Sequence, residues 1–204
     1  MRHLSCLTYF LLLAGALFFS SCASYDHRLD DHSLKYLGTD GSLTRQSRLS
    51  LADQISYWDG DNISGSPSIV IDLSEQRLYY YKGNKLVGVS AVSTGCEERE
   101  TKTGHYKISK KDLHHVSSEC GDYVNSQGEV VVKNIVTKEI KMPKGAHFVG
   151  SPMPYFMMIY PGVGMHTGFL PGVPDSHGCI RLPDRMAKKF FEITPMGTPV
   201  TVQR

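Results

Sequence analysis

From Pro67 onward the chain is cut into short runs of β-branched and aromatic residues separated by glycine, proline and polar clusters, and this pattern limits what it can fold into. Residues 68–72 ("SIVID"), 77–81 ("RLYYY") and 85–93 ("KLVGVSAVS") have strand length and composition. Gly83 and Asn84, between the last two, are a hairpin turn signal. Residues 106–109, 129–135, 155–160 and 199–202 continue the series. Clear helical spacing occurs at 184–193, "DRMAKKFFEI", where Met186, Phe190 and Ile193 share a face, Asp184 is placed as cap and Thr194 with Pro195 ends the run. Many short strands with a helix near the C-terminus predict a mostly β fold, a sandwich or barrel with a few short helices.

Ahead of this region the sequence changes character. Residues 1–21, "MRHLSCLTYFLLLAGALFFSS", set Arg2 and the free amine before an apolar run from Leu4 to Phe19, the layout of a secretory signal. That run is shorter than the roughly 20 residues a membrane span needs, and it stops at two serines before Cys22. "FSSC" resembles a bacterial lipobox, in which the signal is removed just before a cysteine that then carries lipid; Phe19 stands where leucine is usual. An ordinary cleaved signal and a retained anchor are the alternatives. Ala23 and Ser24 fit sorting to an outer membrane, so the expectation is a lipoprotein of the cell envelope, anchored through Cys22 and facing the periplasm. Residues 22–65 read as a polar tether, with one short helix at 50–58 in which Ser50 caps and Leu51, Ile55 and Trp58 share a face. Residues 66–204 suit one domain with a real hydrophobic core.

The 22 basic and 20 acidic residues leave a net charge of +2, with no block of like charge, so nothing points to a nucleic-acid partner. Five cysteines sit at 6, 22, 96, 120 and 179. Cys6 leaves with the signal and Cys22 takes lipid, so three thiols remain in an oxidising compartment, and an odd number leaves one unpaired. Cys96 and Cys120 flank "TKTG" and the polar insertion "KKDLHHVSSECGD" and are expected to bridge. Cys179 is then the odd thiol.

Cys179 lies in "HTGFLPGVPDSHGCIRLP", with His166 thirteen residues before it. Gly178 permits a tight turn that aims backbone N–H groups at one point, as an oxyanion hole requires. A thiol must lose its proton to attack, and an imidazole can take it. His177 is too close in sequence to choose its direction freely, whereas His166 arrives on the preceding strand "VGMH" and is the candidate general base. His166, His177 and Cys179 are also conceivable zinc ligands, but no fourth ligand at metal spacing accompanies them. Neither a metal nor an organic cofactor is expected.

The stretch from His166 to Pro183 resembles the active-site signature of the L,D-transpeptidase (YkuD) family, a His, a variable lid and then Ser/Thr-His-Gly-Cys. "IVIDLSEQRLYYYKGNKLVGVSAVSTG" resembles the family's opening strands, "ETKTGHYKI" its "TPTG" turn and "GTPVTV" its final strand. The resemblance implies that Cys179 is the nucleophile and His166 the base, that Ser176, His177 and Gly178 shape the site with Gly178 and Cys179 lending amides to the oxyanion, and that Arg181 helps hold the donor. It further implies a reaction on peptidoglycan stem peptides: a thioester on Cys179, resolved by an amine of another stem. Resolution by water, giving an L,D-carboxypeptidase, by an amine of an envelope protein, or a silent tethered wall-binding module are the competing outcomes. Lys102 in place of the usual proline and a short His-to-Cys spacing depart from the family pattern.

Overall fold

The structure, a computed structural model, describes residues 56–204 and, ahead of them, a two-residue ladder of β1 (Tyr36–Leu37) with β2 (Leu43–Thr44). Cys22, the signal and most of the tether lie outside the described residues, as do residues 50–55 of the expected helix. Among the described residues no helix is long and apolar enough to cross a membrane.

Period-two alternation builds the first sheet. In β4 (Pro67–Asp72) and β5 (Arg77–Lys82), Ile69, Ile71, Leu78 and Tyr80 are buried while their neighbours are only partly so. Gly83, with φ of 58°, turns β5 back into β6 (Lys85–Ala91), as the sequence predicts. The sheet is completed by β3 (Tyr57–Trp58), β7 (Gly104–Lys107) and β13 (Pro199–Gln203), in the order β3-β6-β5-β4-β13-β7. The last strand lies parallel to β4, which brings the C-terminal end of the chain into the middle of the sheet.

Residues 57–58 correct the helix expected at 50–58. Tyr57 and Trp58 pair with Val89 and Gly88 of β6 as a strand. Gly88 is what admits the indole, since a Cβ there would come within 2.8 Å of the Trp58 ring. Trp58 stands edge-on to Tyr80 at 5.2 Å, and Lys82 and Lys189 lie over its ring. The described sheet therefore includes Tyr57 and Trp58, ahead of residue 66.

The second sheet has the order β12-β11-β10-β8-β9, with β8 (Lys110–Val124), β9 (Val130–Val136), β10 (His147–Tyr160), β11 (Val163–Thr167) and β12 (Ile180–Leu182). The long β8–β10 ladder forms an arm whose register shifts between Gly150 and Pro152. Gly121 and Gly150 make the close approach possible: a Cβ on either would fall within 2.1 Å of a carbonyl oxygen of the opposing strand.

One core is shared by both sheets and by α1 (Asp184–Ile193), which buries Met186, Ala187 and Phe190. Its bounds match the sequence expectation, but its cap does not. Pro183 is the N-cap residue and supplies no side-chain bond. The Asp184 carboxylate instead accepts from Thr167 Oγ1 at 3.1 Å, fastening the helix start to β11. Phe190 stacks on Tyr80 at 5.2 Å and meets Trp58 at 6.1 Å.

Phe190 is fully buried within this aromatic trio. Phe190→Ala is expected to lower the unfolding free energy by about 3–5 kcal/mol, the usual loss for an emptied aromatic site. Urea unfolding of wild type and variant measures it; a loss under about 1 kcal/mol would show that the helix is not anchored by this ring.

Candidate active site

The turn that carries Cys179 is held from behind by the extended segment that follows β6. Ser93 and Arg181 exchange two backbone hydrogen bonds of 3.1 and 2.9 Å. The Ser176 N–H donates to the Thr94 carbonyl, and the Cys96 N–H donates to the Ser176 carbonyl, both at 3.0 Å. Gly178 has φ of 111°, a conformation side-chain-bearing residues rarely adopt, which is why glycine precedes the cysteine.

Inside the turn the buried Ser176 hydroxyl accepts from the Gly178 N–H at 3.1 Å and donates to the Cys179 carbonyl. Thr101, the first threonine of "TKTG", donates to the Gly178 carbonyl at 2.8 Å and accepts from the Gly95 N–H at 2.9 Å. The peptide groups of Gly178 are thus tied on both sides. This corrects the expectation that Gly178 lends its amide to an oxyanion, because that N–H is already used by Ser176. No group within the turn takes the Cys179 N–H, which leaves it as the donor an oxyanion can use.

The Cys179 thiol is half-buried beside β11. Its S–H points to the Gly162 carbonyl at 3.9 Å, and the Gly164 N–H faces the sulfur. Burial pushes the thiol pKa up, with the Gly164 N–H opposing and Arg181 opposing less. His166 lies on β11, whose parallel pairing with β12 sets Met165 opposite Ile180 and His166 opposite Arg181, so the imidazole rises from the strand next to the one that Cys179 leads into. His166 is 6% exposed, and its Nδ1 lies 2.7 Å from the Thr167 carbonyl. Nδ1 therefore carries the proton, and Nε2 is the basic atom. That Nε2 is the one buried side-chain nitrogen or oxygen among the described residues without a hydrogen-bond partner. Burial lowers the His166 pKa to about 4, the Thr167 carbonyl opposes this, and the charges of Arg181 and His115 add to it. At rest, then, a neutral thiol stands beside a neutral imidazole.

Both groups open into a cavity of about 520 Å³, with His177 at its edge and His115 and Cys120 on the wall formed by the arm. Arg181 borders the cavity too, but its guanidinium is bound to the lid: to the Asp175 carboxylate at 2.7 Å, the Asp175 carbonyl at 3.3 Å and the Phe169 carbonyl at 3.5 Å. It braces residues 168–175, where a donor-holding role was expected. Near Cys120 the arm is joined to the body by an ion pair of Arg99 with Glu139.

Cys96 and Cys120 are free thiols, so the expected bridge is not formed. Cys96 stands behind the catalytic turn, bonded through its N–H to Ser176, while Cys120 lies on β8 opposite Val136 and faces the cavity. Sequence reasoning also missed the roles of Thr101 and Asp175. The first belongs to a motif that was visible as "TKTG"; the second had no signal beyond its place in the lid.

Residues 66–202 match the model of the L,D-transpeptidase catalytic domain, YkuD. The chain belongs to this family. No curated protein matches the chain significantly. Similar folds are found in an L,D-transpeptidase from Mycobacterium smegmatis (16% identity, TM-score 0.52, covering 68% of this chain and 59% of that one) and in a cysteine-to-serine mutant of the Enterococcus faecium L,D-transpeptidase (24%, 0.51, 68% and 50%). The L,D-transpeptidase LdtMt1, solved in complex with imipenem, is similar at 18% identity and TM-score 0.51, over 67% of this chain and 58% of that one. This YkuD chain thus spans between half and three-fifths of those chains.

The buried neutral imidazole makes the stability of this YkuD domain depend on pH. Below its ordinary value of 6.5 the unfolded chain protonates His166, while the folded one resists until about 4. The stability from this group is complete above pH 6.5 and is lost as pH falls through 4, a change of roughly 3 kcal/mol. Between pH 7 and pH 4 the wild type is expected to lose about that much more unfolding free energy than His166→Gln. Equal losses in the two proteins would mean that His166 is not held neutral.

Proposed function

We propose that this protein is a peptidoglycan L,D-transpeptidase that works through a thioester on Cys179, in the cell envelope, with Cys22 as its lipid anchor. The observation that carries the reading is the unpartnered, buried Nε2 of His166 on the strand beside the cysteine. A buried base without a partner is costly unless a reacting group completes it.

The chemistry follows from the resting state. His166 Nε2 takes the thiol proton, and the thiolate attacks the carbonyl of the L-centre of the third stem residue. The Cys179 N–H donates to the oxyanion. Collapse expels the terminal D-alanine, whose amine receives the proton from His166, and a thioester remains. An amine of a second stem then displaces Cys179, giving a cross-link between third residues. Because burial disfavours both thiolate and imidazolium, transfer of the thiol proton to His166 is coupled to attack on the bound carbonyl, which limits idle reactivity of the thiol. The solved relative holding imipenem supports the expectation that a carbapenem acylates this cysteine as well.

Incubation with a carbapenem is expected to add its mass to Cys179 alone, seen by mass spectrometry of the intact protein and its peptides. Cys179→Ala should abolish both adduct and turnover, and His166→Ala should slow acylation by about 10²–10⁴-fold. Muropeptide analysis identifies the acceptor: cross-linked dimers support transpeptidation, trimmed tripeptides mean carboxypeptidase activity, and muropeptide linked to protein means attachment. An adduct that persists in Cys179→Ala overturns the assignment.

The location rests on the apolar run before Cys22 and on the small residues after it. Cys22→Ala is expected to move the protein from the membrane fraction to the soluble one, since a cleaved lipoprotein has no other anchor. A variant that stays in membranes would show anchoring by an uncleaved segment.

A further inference from the structure

Acyl transfer to an amine has a proton requirement that His166 cannot meet alone. At neutral pH an aliphatic amine is an ammonium, with a pKa near ~10.4 for a lysine-like group. It must lose one proton to gain a lone pair and a second as the amide forms. His166 has a single free ring nitrogen, because Nδ1 is committed to the Thr167 carbonyl.

A second imidazole lines the same cavity. His115, on β8, has Nδ1 3.2 Å from Asp112 Oδ2 and stacks on Phe156 with ring centroids 4.1 Å apart. Phe156 also lies 6.3 Å from the His166 ring, so one aromatic ring neighbours both imidazoles. The ladder fixes this arrangement: Asp112 pairs with Phe156 and His115 with Met153 across β8 and β10. With Nδ1–H donating to the carboxylate, the Nε2 of His115 has no hydrogen-bond partner among the described residues. The His115 and Asp112 side chains are 25% and 34% exposed, which lets them meet substrate and return a proton to solvent. The groups around the pair are Lys110, 3.5 Å from the same Asp112 oxygen, His114, whose N–H donates to Asp112, Phe156 from β10 and His166 from β11. The His115 bond holds the Asp112 carboxyl below its usual range, so a carboxylate stands against the imidazole that lines the cavity.

We propose that the Asp112–His115 pair is the site's second base, taking the first proton from the acceptor ammonium while His166 serves the sulfur. The ammonium gives one proton to His115 Nε2, and its lone pair attacks the thioester carbonyl. As the C–S bond breaks, the nitrogen passes its second proton to His166, which returns it to the Cys179 thiolate. His115 releases its proton to solvent, so ammonium and thioester become amide, thiol and one free proton. The inference rests on the acyl-enzyme reading above.

The test uses full-length protein carrying His115→Gln or Asp112→Asn, a muropeptide donor, and two acceptors: a stem amine, and hydroxylamine, which is already unprotonated at pH 7. With the stem amine, aminolysis is expected to fall about 10²-fold in His115→Gln, and less in Asp112→Asn, with product shifting from cross-link to hydrolysed tripeptide. Hydroxylamine should resolve the thioester at the wild-type rate, and carbapenem acylation of Cys179 should keep its rate. An equal loss with both acceptors, slowed acylation, or unchanged partition would each overturn the role of His115. A wild-type protein that carbapenem does not acylate would overturn the acyl-enzyme reading, and this inference with it.

Discussion

Both sheets and the catalytic turn are joined through residues 93–96, and the geometry of Cys179 depends on that junction. This segment leaves the six-stranded sheet at the end of β6 and hydrogen-bonds Arg181 and Ser176, one on each side of the cysteine. A φ of 111° is open to Gly178, but so are many other conformations, and the turn keeps this one because its surroundings fix it. The surroundings are polar and almost fully buried. Thr101 ties Gly95 to Gly178, and Gln76 spans the Leu73 carbonyl and Thr94, accepting in turn from the Thr94 N–H. Each of these groups satisfies another, so the network holds the turn without leaving an orphan donor in the core. Against that background the lone unpartnered Nε2 of His166 is conspicuous.

Burial and hydrogen bonding divide the work at the site. The Thr167 carbonyl decides which nitrogen of His166 carries the proton and so which one is left basic. Burial then keeps imidazole and thiol neutral, and the Gly164 N–H offers the sulfur partial compensation once it ionises. Gly164 serves a second purpose, since a Cβ there would strike the Phe156 ring at 2.6 Å. A glycine in "VGMH" thus both bares an amide to the sulfur and seats the aromatic ring that neighbours both His166 and His115.

The legible parts of the sequence were those where one physical rule acts alone. Strand composition marked β4 and β5, the 3.6-residue spacing marked α1 to the residue, and "SHGC" with an upstream His marked residues that line one cavity. Where two demands compete, the reading failed. Trp58 fits an amphipathic helix on paper, but Gly88 offers its indole a flat seat in the sheet. Gly178 was expected to point its N–H at substrate, but the turn needs that donor for Ser176. Oxidising surroundings suggested joining Cys96 to Cys120, although both stand as free thiols, one bonded through its N–H to Ser176 and one on β8 facing the cavity.

The largest omission, β8, has a physical cause that bears on function. "KKDLHHVSSECGD" carries no hydrophobic alternation because this part of the strand does not cover the core; one side of it walls the cavity. The lid on the opposite wall is only residues 168–175, short enough for one guanidinium to brace it through Asp175 and the Phe169 carbonyl. A short lid encloses little of a substrate by itself, so the arm must supply the rest of the enclosure, and its polar side chains become site residues. The arm is joined to the body near the cavity by the exposed Arg99–Glu139 pair, and exposed pairs of this kind contribute little. Opening this edge of the cavity therefore costs little compared with disturbing the buried network under the turn. Cys179 sits on the side of the cavity held by that buried network, and His115 sits on the arm, an arrangement that fits the proposed entry of a second, bulky stem from the arm side.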